Sequence, residues 1–319
     1  MDLRSLVRRS IFASCAFYLL DDWRAGRRLH RGDVQTTSGA RHADKPLAES
    51  IDYIRKVHRD YLRYGGVQSF AGVVAEIGPG DNFGLALLLL ANGATEIHAI
   101  DRYYSQRDPQ TQGQIYRTLA AEEGANTLFD GDPSEATMRG LHYHPGVAAE
   151  EYFSAGRPGR PCFDAIISRA VLEHLYDPIG ALSDMAHALR PGGRLIHRID
   201  FRDHGMFSDH HPLTFLTIPD ALYHRMTRQS GRPNRVLVDV YQRWLDQSGL
   251  SGNILITRLS GIQGDFDPAA WPDLDQNMCE QSLEAARQIR PKLAKRFQSM
   301  SDEDLAVAGI TLVAEKPVS

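Results

Sequence analysis

Cysteine is scarce in this chain: Cys15, Cys162 and Cys279 stand far apart in 319 residues. An odd, dispersed set builds no disulfide framework and predicts a reducing compartment, with the cytoplasm as the expected location. A surplus of basic charge is lacking too, because 36 Lys and Arg face 40 Asp and Glu for a net charge of −4. No global field then favours nucleic acid or an anionic membrane, and neither is an expected partner. No apolar run approaches the ~20 residues that a membrane span takes. Ile11 to Leu20 follows Arg4, Arg8 and Arg9 as a signal-peptide core would, yet Asp21-Asp22-Trp23-Arg24 comes next with no small-residue cleavage site. It is read as an amphipathic helix that packs on the domain or on a second subunit, which admits a homodimer; export or a membrane-surface anchor is the competing reading. Internal repeats and low-complexity tracts are absent as well.

What is present begins with a hydrophobic content of 42%, enough over this length for a full core and more than one catalytic domain needs. One stretch organises the rest: VVAEIGPGDNFGLALLLLANGATEIHAIDRY, Val73 to Tyr103. Val73 to Ile77 reads as a strand, Gly78-Pro79-Gly80 as a tight turn, Phe83 to Ala91 as a buried helix that Asn92-Gly93 caps, and Glu96 to Asp101 as a second strand. Glycine at 78 and 80 lets the backbone turn sharply and a ligand come close where a Cβ would clash. Asp101, about 20 residues past the glycines, is placed to accept the hydroxyls of a ribose. Two details argue against a nicotinamide dinucleotide. Gly84 falls one residue late for that fingerprint, and Glu76 would oppose a pyrophosphate; a carboxylate there suits a ligand carrying an ammonium and a sulfonium.

The remaining elements follow from pattern. Arg31 to Lys45 is polar, carries Gly32 and Gly39, and reads as a linker. Ala48 to Tyr64 sets Ile51, Ile54, Val57, Tyr61 and Leu62 on one helical stripe that Gly65-Gly66 ends. A long polar segment, Ser105 to Gly140, holds one helix around Gln112 to Glu122, and a third strand falls at Leu141 to His144. Phe163 to Ser168 is a buried central strand whose carboxyl end carries Ser168, Arg169, Glu173 and His174, where an open parallel sheet binds ligands. Gly180 to Leu189 is a helix, Arg190-Pro191-Gly192-Gly193 a turn, and Arg194 to Ile199 the fifth strand. Phe215 to Arg228 and Val236 to Gln247 are helical, with Arg232 and Arg235 between them either open to an anionic acceptor or plain surface charge. Gly249 to Thr257 and Ala306 to Ala314 supply the last two strands. Pro268 to Met300 is mostly helix, with Ala285, Ile289, Leu293 and Phe297 on one face.

The fifth strand runs into HRIDFRDHGMFSDHHP, His197 to Pro212. His197, Asp200, Asp203, His204, Asp209, His210 and His211 crowd the place where an acceptor would enter. Three readings stay open: a histidine general base, a divalent metal held by His and Asp, or a solvated loop that contains histidines. No cysteine joins the cluster, which argues against structural zinc. His197, within the strand, reads as a buried, hydrogen-bonded histidine.

Glu76-x-Gly78-x-Gly80, the acid at Asp101, FDAIISRAVLEH at Phe163 to His174 and LRPGG at Leu189 to Gly193 together resemble the class I S-adenosylmethionine (SAM)-dependent methyltransferases, over Val73 to Phe201. The resemblance implies an α/β fold: a doubly wound, seven-stranded, mostly parallel sheet with an antiparallel edge hairpin, N-terminal helices and a helical cap. It implies SAM as methyl donor, held by Glu76, Gly78, Gly80, Asn82, Asp101, Arg102, Ala148, Ser168 and Arg169. An acid that holds adenine in many relatives is missing at Val147. His174 or His204 is the implied base, with Asp200 or Asp203 orienting it, and no metal is assigned. The expected organisation is an N-terminal extension over 1–70, a donor-binding core over 71–205, a cap over 206–250, and the last strands with a helical insertion over 251–319. The patterns at Tyr53 to Leu62 and His197 to His204 are similar to a bacterial subgroup acting on surface polysaccharides or small metabolites, which implies a sugar or small hydroxylated acceptor. The rival readings are cyclisation of the donor's aminobutyrate arm with release of methylthioadenosine, a nicotinamide dehydrogenase, and a binding module without catalysis.

Overall fold

The computed structural model describes residues 10–33, 35–36, 42, 45–155, 159 and 162–318. Arg4, Arg8, Arg9 and Gly39 lie outside the described residues. Helix α1 (Ile11–Leu29) continues well past Leu20, through the acidic pair. It does so because Asp22 is buried, where its carboxylate accepts from Gln229 N at 2.7 Å and Ser230 N at 2.9 Å. Its outer side leaves Phe12, Leu20 and Trp23 exposed. Helix α2 (Leu47–Gly65) stops as expected, with Gly66 in the left-handed region at φ 60°.

Strand β1 (Gly72–Ile77), helix α3 (Gly84–Ala91) and strand β2 (Ala94–Asp101) form the expected βαβ unit, its strands parallel. Gly84 to Leu90 of α3 are all buried, which suits a helix apolar on every side. Helix α4 (Pro109–Glu122) starts earlier than expected, because Asp108 caps it through Gln110 N and Thr111 N and Pro109 fills its first turn. Strand β3 (Leu141–Pro145), the short α5 (Ala149–Tyr152), β4 (Phe163–Arg169) and α6 (Pro178–Ala188) follow.

Strand β5 (Leu189–Asp200) absorbs the LRPGG segment that reads from sequence as a turn. Leu189 pairs with Phe163 and Arg194 with Ala165, so the residues between form a bulge rather than a separate connection. A Cβ on Gly193 would meet the Phe163 and Arg190 carbonyl oxygens at 2.9 Å, which is why glycine stands there.

Beyond β5 the helices are shorter than the periodicity suggested. Thr214–Thr217 is a 3-10 turn, and only Asp220–Thr227 (α7) is α-helical, since Pro219 sits extended at ψ 142°. Helix α8 (Val238–Gln247) and strand β6 (Ser251–Leu259) follow. In the segment 268–300 the continuous helix is α9 (Gln276–Ile289), flanked by 3-10 turns; its buried stripe is Cys279, Ser282, Ala286 and Ile289, so Ala285 is off it. Pro291 ends that helix. Leu293 and Phe297 are buried from the turns beyond. The short α10 (Asp302–Ala306) leads into β7 (Val307–Glu315).

The sheet order is β3-β2-β1-β4-β5-β7-β6, with β7 antiparallel to both neighbours and the rest parallel. This is the doubly wound, seven-stranded sheet with an antiparallel edge that the motifs imply. Alternate residues feed two cores: Val74, Ala165 and Ile196 pack with α2, α3 and α4, while Ala75, Ile166 and Leu195 pack on the opposite face. The second core also takes Cys15, Tyr241, Ile289 and Leu312, so α1, α8, α9 and β7 share it. Strand order reverses between β1 and β4, and the crossovers on either side leave a crevice at the strands' carboxyl ends. Among the described residues no helix is long and apolar enough to cross a membrane.

Candidate active site

That crevice is one cavity of about 700 Å³, lined by Gly78 to Asn82 and Asp101 to Tyr103 and also by His174, Asp200 and His204. Gly78 and Gly80 both take φ 71°. At Gly78 the left-handed backbone is joined by a second constraint, since a Cβ would lie 2.5 Å from Val171 Cγ2. Gly84 has a different task. Its missing Cβ would fall 2.6 Å from Ile54 Cδ1, so it lets α3 pack on α2 and is not on the cavity wall.

Glu76 and Asp101 end adjacent parallel strands, and both face the cavity. Glu76 is buried, and its Oε2 has no hydrogen-bond partner. Burial first, and Asp101 second, push its pKa up to about 8 against the pull of Arg107. Asp101 accepts from Tyr103 N at 3.0 Å, yet burial still lifts its pKa to about 6. Two buried acids on one hollow favour a cationic group between them.

Other residues of the donor set are arranged less uniformly. Asn82 is spent inside the protein: its amide donates to Gln112 Oε1 at 2.8 Å and its carbonyl oxygen accepts from Gly84 N, so it braces the loop. Arg102 lines the cavity and stacks 4.2 Å from the Tyr176 ring centre. Arg169 lines it too, donating to Asp60 of α2 at 2.8 Å. Ser168 points into the sheet interior, where its hydroxyl meets His197 Nδ1 at 2.8 Å. Ala148 precedes α5, and its carbonyl accepts from Glu151 and Tyr152 N; Ala149 is the residue on the cavity wall.

Elsewhere on the cavity wall His174 Nδ1 donates to the Gly231 carbonyl at 2.7 Å. A carbonyl only accepts, so Nε2 is left with its lone pair. Burial, then the neighbouring His204, holds the His174 pKa down to about 4. His204 sits at φ 51°, a costly backbone for a side-chain-bearing residue, with Nε2 3.7 Å from Asp200 and 3.8 Å from Glu173. Asp200 is clasped by the Arg202 guanidinium. Asp203 is not at the site: its two oxygens accept from Gly205 N and Phe207 N and fix the loop. His197 is fully buried, as expected, and burial holds its pKa at about 3. Arg232 pairs with Asp21 of α1 at 3.0 Å. Arg235 is interior, donating to the Phe215 and Ile218 carbonyls, and is closed to any acceptor.

The methyltransferase-domain family model matches residues 48–251, more than half of the chain. The chain belongs to that methyltransferase family. Its methyl donor is SAM. None of the curated proteins matches the methyltransferase. It is similar to the solved structure of the [4+2]-cyclase SpnF at 16% identity and TM-score 0.40, covering 83% of this chain and 81% of that one. It is similar to the Haemonchus contortus phosphoethanolamine N-methyltransferase 2 complex with SAM at 14% identity and TM-score 0.42, where 82% of this chain spans only 52% of that one. A third similar structure is the N-methyltransferase NodS of Bradyrhizobium japonicum with S-adenosylhomocysteine, at 14% identity and TM-score 0.40, covering 87% of this chain and 91% of that one.

The methyltransferase's acid pair fits its donor: an orphaned buried carboxylate and a side-chain-free bend are what a cation-bearing nucleoside fills. One member of this end was not legible from sequence. Arg107, lost in a polar segment, is drawn inside, donating to Glu135 at 2.7 Å and to the Gly80 carbonyl at 3.1 Å while lying 4.3 Å from the Phe83 ring centre. It is a fixed cation behind the two acids.

Proposed function

We propose that this methyltransferase carries the methyl group of SAM to an oxygen or nitrogen of a small molecule or sugar. The observation that carries the reading is a single cavity lined by two unlike groups, an acid pair beside the glycine bend and an imidazole–carboxylate group on His174, Asp200 and His204. Asp101 would hold the ribose hydroxyls and Glu76 the donor's ammonium, while Gly78 and Gly80 let the backbone approach. The donor supplies an activated methyl on a sulfonium. What remains for the protein is alignment of the nucleophile and, for a hydroxyl, management of its proton at His174, His204 and Asp200. Gln229, Ser230 and Gly231 line the same cavity from the segment after β5, which supports its role as a cap over the acceptor.

Product analysis with a panel of sugars and small hydroxylated or amino compounds tests this. S-adenosylhomocysteine should accumulate only with a suitable acceptor; methylthioadenosine formed without one would establish the cyclisation reading instead.

Donor affinity should also depend on pH. Asp101, Arg107 and Tyr61 are the charged and titratable groups that act on Glu76, and the net result is a carboxyl largely protonated at neutrality. A cationic donor prefers the ionised form, so binding must release a proton below about pH 8. SAM affinity should therefore rise at least about tenfold from pH 6 to 7.5, and Glu76→Gln should flatten that slope. A flat wild-type profile by calorimetry would remove Glu76 from the donor site. The same elevated pKa has a stability sign: the folded state holds a proton the unfolded chain lacks above about pH 4.5, so this group's contribution is lost as pH climbs through about 8.

A further inference from the structure

Just behind the acceptor pole lies a buried carboxylate that no side chain hydrogen-bonds. The Glu173 side chain is 1% exposed, and neither oxygen has a side-chain hydrogen-bond partner; the backbone N–H groups of Glu173 and Asp200 face it. Protonation would relieve the charge but still leave a buried O–H with no acceptor. Its Oε1 faces His204 Nε2 at 3.8 Å. The His174 ring stands edge-on to His204 with centres 4.8 Å apart, and its Nδ1 bond to Gly231 fixes the tautomer that turns a lone pair outward. A backbone carbonyl on the far nitrogen is how metal-binding histidines are commonly oriented.

One donor atom from each of Glu173, His174 and His204 lies within 4.8 Å of the other two. Ligands each about 2.1 Å from a shared ion stand roughly 3 to 4 Å apart, so a small inward movement closes the set. The strained backbone of His204 has a reason in this light, since it brings the ring in front of the buried acid. Asp200 is already engaged by Arg202 and remains outside the set.

We propose that Glu173, His174 and His204 bind one divalent transition-metal ion at the acceptor end of the cavity, and that the acceptor is a hydroxylated molecule whose oxygen completes the coordination. Two imidazoles and one carboxylate, without thiolate, suit manganese, iron, cobalt or zinc. The second clause rests on the methyl-transfer reading; the first does not. In that reading the two imidazoles serve as ligands in place of the base, the hydroxyl proton leaves to solvent as the oxygen coordinates, and the oxygen forms the new bond to the methyl carbon. The carbon–sulfur bond breaks with its electron pair remaining on sulfur.

A second cluster supplies the internal control. Glu96, His98 and His142, at the β2–β3 edge, also place ligand atoms within 4.8 Å, but Glu96 and His142 are about half exposed. The full-length protein, stripped with chelator, is titrated with Co²⁺ alone and followed by calorimetry and visible absorption. Expected is an ion whose binding weakens at least about tenfold in both Glu173→Gln and His204→Ala and is kept in His142→Ala. S-adenosylhomocysteine titration of the same variants, within about twofold of wild type, shows that the fold and donor end survive. No cobalt binding, or binding lost only in His142→Ala, overturns the metal site. Cobalt binding without any affinity for S-adenosylhomocysteine overturns the donor reading and leaves the metal site standing.

Discussion

Asp101→Ala weakens S-adenosylhomocysteine binding about 100-fold, or about 3 kcal/mol, while the melting temperature stays within a few degrees of wild type. The size follows from the kind of bond lost. A carboxylate at a strand end offers charge-assisted hydrogen bonds to a ribose, each worth about 1.5–3 kcal/mol in a poorly solvated place. Asp101 is such a group, mostly buried and lifted in pKa, so it is costly to keep ionised without a ligand. Removing it costs the empty protein little for the same reason: the backbone bond from Tyr103 N is the one contact forfeited on its own loop. Asp101→Asn should fall between, because an amide presents one acceptor where the acid presents two. A secondary effect distinguishes this account from general damage. Asp101 helps to raise the Glu76 pKa, so the variant's residual affinity should change with pH at a lower midpoint than wild type. Calorimetry showing less than a threefold loss would exclude Asp101 from ribose recognition.

Arg235→Ala destabilises the fold by about 3 kcal/mol without touching the donor end. Its guanidinium is buried, donates to the Phe215 and Ile218 carbonyls at 3.1 and 2.6 Å, pairs with Asp220 and lies 4.1 Å from the Tyr223 ring centre. Burial, and then Arg296, hold its pKa down to about 10, so the cation is costly to keep here and its partners offset only part of that cost. Truncation leaves two carbonyls unsatisfied and a void beside Tyr223; each orphaned carbonyl costs about 1–3 kcal/mol. Asp220 is half exposed and regains water, so the loss stays at the lower end of the range for breaking a buried pair. Arg235→Lys should recover only part, because an ammonium cannot span both carbonyls and the carboxylate. Urea unfolding that shows a loss below 1 kcal/mol would contradict this bracing role.

The parts of the molecule legible in sequence are those whose chemistry is local. A strand-turn-helix-strand rhythm with glycine at 78 and 80 and an acid at 101 can be read because the constraint and the residue coincide. The bulge at LRPGG could not, since its register depends on which residue of β4 it opposes. Helix ends at 219 and 291 were overrun by continuing periodicity, although each proline marked the boundary. Ser168 and Asp203 illustrate the same limit at the site: both occupy sensible positions in the chain, and both are spent on partners, His197 and the 205–207 backbone, that lie on other elements or in a turn. Arg107 and Arg235 carry no periodic signal, because a buried guanidinium is identified by what surrounds it. The isolation of Glu173 is likewise a property of its neighbourhood.

Gly78 and Val171 are in contact across the floor of the crevice. Val171 stands two residues ahead of Glu173, so the bend proposed to receive the nucleoside and the turn that carries the acid and His174 are two sides of one wall. Retooling this catalyst for a bulkier acceptor by reshaping that turn would be felt at once by the donor, and useful variation should instead arise from the roof, at Gln229 to Gly231.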